Sequence, residues 1–309
     1  MQTNESTWHV IINPVAGGNK AIRLWRKIKP LLIEDEIAFQ EIFTQHIYHA
    51  VEITKEIVKN NGKNILIVGG DGTAHEVING IFSATKDTST ISVAMLSAGA
   101  GNDWVRTIGK PSSINVVPTS MKKNETFLHD AGIIEFTHDQ QTEKRYFINI
   151  AGFAFEGLVV KKLLDSNGIL KGTKLQYWGA IFRSLLFCKH APIQFIVDGR
   201  ETTINTLSVA AGICNYNGGG LKQLPNALYN DGLLDMTVIG EMSKLKMVLR
   251  LPKLTDGSLI NMKEVRTFRG REIIIKCDKE IFAEADGEFL GTLPVKISIV
   301  EKAIKILKW

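Results

Sequence analysis

The sequence predicts an α/β domain built on a doubly wound, mostly parallel sheet, followed by a separate, mainly antiparallel β domain. Three observations predict it. β-rich runs alternate with helical periodicity through the first 130 residues, glycine-rich turns follow several of those runs, and beyond Asp130 strands follow one another with hairpin signals. WHVIINP reads as a strand ending at Pro14, with VAGG as its turn. Between Lys20 and Leu32 a helix places Leu24, Ile28, Leu31 and Leu32 on one face. FQEIFT is a short strand, and HAVEITKEIVKN a helix closed by Asn61-Gly62. Ile65 to Val68 form a strand, and Ala74, Val77, Ile78, Ile81 and Phe82 mark one face of the helix that follows. ISVAML, the turn SAGAG and a short helix NDWVRTIG, ended by Gly109 and Pro111, complete the alternating half. In the second half YFINIAGF, IQFIVDGRETTINTLSVAAGI, LLDMTVIG, REIIIKC, IFAEADGEFLG and VKISIV read as strands. Asp198-Gly199 and Asp286-Gly287 are two-residue hairpin signals, and helices interrupt at LQYWGAIFRSLLF and SKLKMVLRL. The expected domains are residues 1–130 and 131–300.

Composition narrows the class. With 309 residues, 44% hydrophobic and 22% charged, the chain can fill two soluble domains. Cys188, Cys214 and Cys277 are widely spaced without a CxxC, so neither a zinc site nor a disulfide framework is indicated and a reducing cytoplasm fits. MQTNESTWHVIINP is too polar for a signal peptide, and no window of about 20 apolar residues could span a bilayer. A net charge of +5 suits anionic ligands or an anionic membrane surface, but is too small to argue for nucleic acid.

Three turns carry the chemistry. Asn13 to Gly18, Gly69-Gly70-Asp71-Gly72-Thr73 and Ser97 to Asp103 each follow a predicted strand and open a helix. Turns from one parallel sheet converge at its carboxyl edge, where free N–H groups and helix N-termini favour phosphate. The third glycine of a dinucleotide fingerprint is missing after Gly99-Ala100-Gly101, and no GK[ST] follows a glycine loop. Asp71 is the anomaly. A carboxylate about 4 Å from a phosphate charge costs on the order of 1–4 kcal/mol per pair, whereas Mg²⁺ between them reverses the sign. Alternatively Asp71, like Thr73, only caps its helix. Asp130 in FLHDAG is either a member of the metal's outer shell or a turn aspartate, and Asp231 in LYNDGLLD suits a loop metal or an Asn-Asp-Gly turn. Glu284, Asp286 and Glu288 share a face if their strand is regular, but the Asp286-Gly287 turn would break that register. Glu288 is then a general-base candidate or a solvated hairpin acid. Lys20, Arg23, Arg26, Lys27 and Lys29 make the first helix basic, for an anionic leaflet or for solvent. Leu175, Trp178, Phe182, Leu185 and Leu186, with Lys171, Lys174, Arg183 and Lys189 around them, form either an interfacial helix or domain core.

With INPVAGG at 12–18, VGGDGTAHEVING at 68–80, SAGAGNDWVR at 97–106, HDAG at 129–132, NALYNDGLLD at 226–235 and ADGE at 285–288, the chain resembles the diacylglycerol kinase catalytic family in its bacterial soluble lipid kinase branch. That family shares a superfamily with sphingosine kinases and NAD kinases. The resemblance implies a nucleotide-binding α/β domain and an antiparallel, β-sandwich-like lipid-substrate domain, with the chain end, about 300–309, returning to the first. It implies ATP as co-substrate, Mg²⁺, and transfer of the γ-phosphoryl group to a lipid hydroxyl of diacylglycerol or sphingoid type. By motif position Asn13, Thr44, Gly69, Gly70, Asp71, Gly72, Thr73, Gly99, Gly101, Asn102 and Asp103 would bind ATP. Asp71 and Asp130 would act in the magnesium network, and Glu288 would be the base. A structural metal is implied at Asp231 with the carbonyls of Leu228 and Leu233. Ala100 and His75 depart from the family's usual hydroxyl residue and Asn. The enzyme would be cytoplasmic and peripheral to the membrane, and a homodimer stays open. The alternatives are an NAD kinase and a nucleotide-sensing protein without turnover.

Overall fold

The computed structural model describes residues 6–138, 141–165 and 174–309, with the backbone alone for 138 and 174–178. The chain divides into two compact units, Met1–Asp130 with Glu301–Trp309, and Ala131–Val300.

In the first unit β1 (Trp8–Ile12), α1 (Ala16–Glu34), β2 (Phe39–Phe43), α2 (His49–Lys59), β3 (Asn64–Gly69), α3 (Asp71–Ala84), β4 (Ser92–Ser97), α4 (Asp103–Ile108) and α5 (Val117–Lys123) follow in order. The parallel sheet runs β2-β1-β3-β4, and Lys305–Ile306 of the last strand add to β4. Register places the site. Ile12 pairs with both Phe43 and Val68, and Gly69 with Ser97, so the strands end level and their turns leave one edge together. Alternation along the strands turns Trp8, Val10, Ile12, Leu66, Val68, Ala94 and Leu96 toward α1 and α5. The helices α2 and α3 pack on each other and on the opposite face. The α1 face differs from the expected stripe. Trp25 is fully buried between Ala21 and Ile28, and its indole N–H donates to Glu41 at 2.7 Å. The predicted basic face of that helix is partly engaged, because Lys29 pairs with Glu41 at 2.6 Å and Arg23 folds back onto the carbonyls of Gly18 and Asn19.

The strand β5 (Thr126–His138) runs straight through Asp130. Then come β6 (Gln141–Phe147), β7 (Ile150–Ala154), α6 (Phe155–Leu164), α7 (Lys174–Phe187), β8 (Ala191–Val197), β9 (Arg200–Thr206), β10 (Ser208–Gly212) and β11 (Leu234–Ile239). They are followed by α8 (Lys244–Arg250), α9 (Pro252–Asp256), β12 (Val265–Gly270), β13 (Glu272–Lys276), β14 (Phe282–Ala285), β15 (Glu288–Thr292) and β16 (Val295–Leu307). In the second unit one antiparallel sheet has the order β12-β11-β10-β7-β14-β15. Another antiparallel run joins β9, β8, β13 and the start of β16. YFINIAGF, read as one strand, breaks in two because the backbone N–H groups of Ile148, Asn149 and Ile150 turn to the Asp286 carboxylate. The helix α6 and the strand β12 carry too short a pattern to have been anticipated. Of the expected apolar helix, Lys171 and the side chains of Lys174, Leu175 and Trp178 lie outside the described residues. Ala180, Ile181 and Leu185 belong to a core shared with α6, α8 and α9, while Phe182 and Leu186 face outward. Among the described residues no helix is long and apolar enough to cross a membrane.

Candidate active site

The three glycine turns meet at the carboxyl edge of the parallel sheet. Asn13 Nδ2 donates to Thr73 Oγ1 at 3.1 Å, which ties the first turn to the second. Gly17, Gly18 and Asn19 all have φ between 59 and 67°, and the Gly17 Cα lies against the Ala98 carbonyl, so only a glycine fits there. The second and third turns stack: a methyl group added to Gly70 would lie 3.0 Å from Gly99 Cα. Thr44 follows β2 at the same edge, its N–H on the Ile12 carbonyl at 2.9 Å.

Asp71 does not cap its own helix. No side chain caps α3, so its first N–H groups remain available to an anion. The Asp71 carboxylate instead reaches the neighbouring turn and accepts from the N–H groups of Asp103 at 3.2 Å and Trp104 at 3.3 Å. A side chain at Gly101 would lie 3.0 Å from Asp71 Oδ2 and 3.1 Å from Asp103 Oδ2, so both carboxylates line one small space. Burial, and then the charge of Asp103, push the Asp71 carboxyl up to about 6 against the pull of those N–H groups. Asn102, in a left-handed conformation before α4, donates to the Gly99 carbonyl, while its buried Oδ1 accepts no hydrogen bond. Two crowded carboxylates and an unmet amide oxygen form an all-oxygen donor set of the kind Mg²⁺ takes.

Asp130 is fully buried, and its Oδ1 accepts from the Lys302 N–H at 2.7 Å. The Trp104 indole donates to His129 Nε2 at 3.3 Å, which fixes the proton on Nδ1 for the Asp130 carbonyl. Trp104 thus touches Asp71 through its backbone and His129 through its ring. Sequence reading missed both residues, although each adjoins a motif acid.

In the second unit the Asp286-Gly287 turn breaks the expected three-acid face. Both residues have positive φ, 51 and 86°, as a tight hairpin requires. Glu284 is buried, Asp286 holds the N–H groups of residues 148–150, and Glu288 opens β15 half-buried. Glu284 accepts from the Gly287 N–H at 2.8 Å and faces Glu156, whose Oε1 accepts from Ser208 and Gln223. At the implied structural metal the Asp231 carboxylate is already engaged by groups of the protein. Asp231 Oδ1 accepts from the Leu233 N–H, and its Oδ2 is paired with the Arg269 guanidinium, which also reaches Asp235 at 3.2 Å. The protein supplies its own cation there. Without nucleotide, a chelator is expected to leave the melting temperature unchanged, whereas Arg269→Ala lowers it by about 2–4 °C, roughly 1 kcal/mol for a half-exposed pair. A clear drop on chelation alone would return Asp231 to metal binding.

Comparison with known proteins accords with this geometry. Residues 7–132 match the diacylglycerol kinase catalytic domain, and residues 158–308 the YegS C-terminal NAD kinase beta sandwich-like domain. A Bacillus subtilis (strain 168) protein named lipid kinase YtlR is 27% identical over 97% of this chain and 99% of its own length. A diacylglycerol kinase of Mycobacterium tuberculosis (strain H37Rv) is 26% identical over 96% of this chain and 94% of its own. Two solved structures share the fold. One, from Bacillus anthracis str. Sterne and described as a diacylglycerol kinase, has a TM-score of 0.78 at 21% identity over 99% of each chain. The other, yeast NADH kinase, has a TM-score of 0.58 at 12% identity over 99% of this chain and 83% of its own. The two matches follow one another along the sequence, so the chain carries a diacylglycerol kinase catalytic domain followed by a YegS C-terminal NAD kinase beta sandwich-like domain.

Proposed function

We propose that this chain is an ATP-dependent lipid kinase that transfers the γ-phosphoryl group of ATP to a lipid hydroxyl, on a diacylglycerol-like or sphingoid-type acceptor. The observation that carries the reading is the meeting of three glycine turns at one sheet edge, with the α3 N-terminus uncapped and the Asp71 carboxylate beside it. In this reading the first unit is the ATP-binding domain and the second the lipid-substrate domain. Asn13, Thr44, the turn Gly69 to Thr73, Gly99 and Gly101 receive the nucleotide, with α3 N–H groups donating to phosphate oxygens. Asp71, Asp103 and Asn102 would hold Mg²⁺, with Asp130 braced behind them through His129 and Trp104. When bound, Mg²⁺ supplies the positive charge that lets an acidic loop accept a polyanion. Glu288 accepts the proton of the lipid hydroxyl as its oxygen bonds to the γ-phosphorus and the bond to the β-phosphate oxygen breaks, leaving ADP. Positioning and charge neutralisation provide most of the rate. The enzyme works in the cytoplasm at the membrane surface.

Incubating the purified protein with γ-labelled ATP and a total lipid extract is expected to label one lipid class as a phosphomonoester. Label appearing in NAD instead, or in no product while ATP binds, would overturn the reading in favour of an NAD kinase or a sensor. Glu288→Gln is expected to lower kcat by about 10²–10⁴-fold, the range of a general base, with ATP affinity unchanged. Near wild-type turnover would remove Glu288 from the reaction.

A further inference from the structure

On the outer faces of α7 and α8 the second unit displays large apolar side chains. Leu186, Phe187, Leu245 and Leu249 are each 65–70% exposed, and Phe182 is 53% exposed. Phe182 and Leu186 are four residues apart on α7, as Leu245 and Leu249 are on α8, so each pair shares a helix face. Lys244, the first residue of α8, donates to the Leu186 carbonyl at 2.5 Å and brings the two helices together. The opposite faces are not spare: Ala180, Ile181 and Leu185 of α7 and Met247 of α8 fill a common core. The outward face is therefore apolar by composition and not by exposure of a core layer. Large apolar side chains exposed on two helices that share one core mark a surface that something covers.

The charge around the patch says what covers it. Residues 174–190 and 243–255 contain no Asp or Glu. Arg183, Lys189, Lys244 and Arg250 are exposed among the apolar side chains, and Lys162 stands over the Phe187 ring at 5.4 Å. Lys246, by contrast, is neutralised by Glu264 at 2.6 Å. A large apolar face bordered by cations that have no acidic partner among the described residues is the arrangement of an interfacial helix on an anionic leaflet. An anionic leaflet offers every one of those cations a layer of opposite charge.

We propose that the α7–α8 face is the surface by which this protein docks on anionic lipid bilayers, with Phe182, Leu186, Phe187, Leu245 and Leu249 entering the headgroup–acyl boundary. The proposal rests on the lipid kinase reading for its purpose, and on this patch alone for its location. The test is flotation of the full chain with vesicles of phosphatidylglycerol and phosphatidylcholine, and with phosphatidylcholine alone. Wild type is expected to float with the anionic vesicles and to bind at least tenfold less to the neutral ones. The double variant L186D/L249D is expected to lose at least tenfold in binding, with an unchanged melting temperature. Should that variant melt early, R183E/R250E, which alters exposed charges only, is expected to lose the anionic preference. Both variants are expected to keep wild-type turnover on lipid dispersed in detergent micelles. Wild-type binding in either properly folded variant overturns the proposal, as does no vesicle binding by wild type. A change from dimer to monomer in size-exclusion chromatography with vesicle binding intact overturns it in favour of a second copy of the chain. If micellar lipid is never phosphorylated but flotation depends on the patch, the kinase reading falls and the docking surface stands.

Discussion

Asp71→Asn is expected to lower kcat by about 10²–10³-fold, on the scale of one preorganised electrostatic contact, while the protein stays folded. This substitution separates two roles that the structure gives one carboxylate. As a cap, Asp71 accepts the N–H groups of Asp103 and Trp104 and fixes the third turn to the second. Asn is as good a cap as Asp, so a purely structural Asp71 would tolerate the change. As the charged member of a divalent-cation site, it would not. The fold should survive for a further reason. The carboxyl is already driven up to about 6 by burial and by Asp103, so removing its charge relieves a repulsion while one acceptor atom is kept. The measurements are turnover against Mg²⁺ concentration and the melting temperature of both proteins. Loss of turnover with normal melting supports the cation role. Wild-type turnover at every Mg²⁺ concentration would reduce Asp71 to a cap.

That double role explains why the sequence was legible only in part. The strands, glycine turns and helices from Trp8 to Gly109 rest on local signals: β-rich runs, glycines, and apolar spacing. Register then did the rest, because level strand ends bring Asn13, Thr73 and Gly99 to one edge without further instruction. The partner of Asp71 was another matter. It lies 32 residues away, and nothing in GGDGT distinguishes an acid that caps its own helix from one that caps the next. The same limit hid the use of Asp286. Its turn was readable because Asp-Gly tolerates positive φ, but its hydrogen bonds reach residues 148–150, and these split a run that looked like one strand. Trp25 escaped because bulk does not announce which side of a helix faces the sheet. The helix α6 escaped because Gly157, Val159 and Val160 weaken a pattern only ten residues long.

A titration of stability should expose the buried acid pair of the second unit. Burial pushes the Glu284 carboxyl from 4.5 up to about 8, with the charges of Glu156 and Asp286 acting in the same direction. Burial also raises Glu156, against the hydrogen bonds it accepts from Ser208 and Gln223. Between pH 4.5 and about 8 the folded protein therefore holds a proton that the unfolded chain releases. Stability is then full below 4.5 and declines as pH rises toward 8. The slope is at most about 1.4 kcal/mol per pH unit for one group, and the whole loss is on the order of 3–5 kcal/mol. Melting temperature measured from pH 5 to 9 should fall steadily in wild type and much less in Glu284→Gln, which should be the more stable protein at the alkaline end. Parallel curves would show that Glu284 carries its charge at no cost. The same variant bears on the hairpin of Glu288. Glu284 accepts from the Gly287 N–H, one residue before Glu288, and the carbonyl of Gln can accept that bond as well. Turnover should persist in Glu284→Gln and fall in Glu284→Ala, because the hairpin needs the acceptor and not the charge.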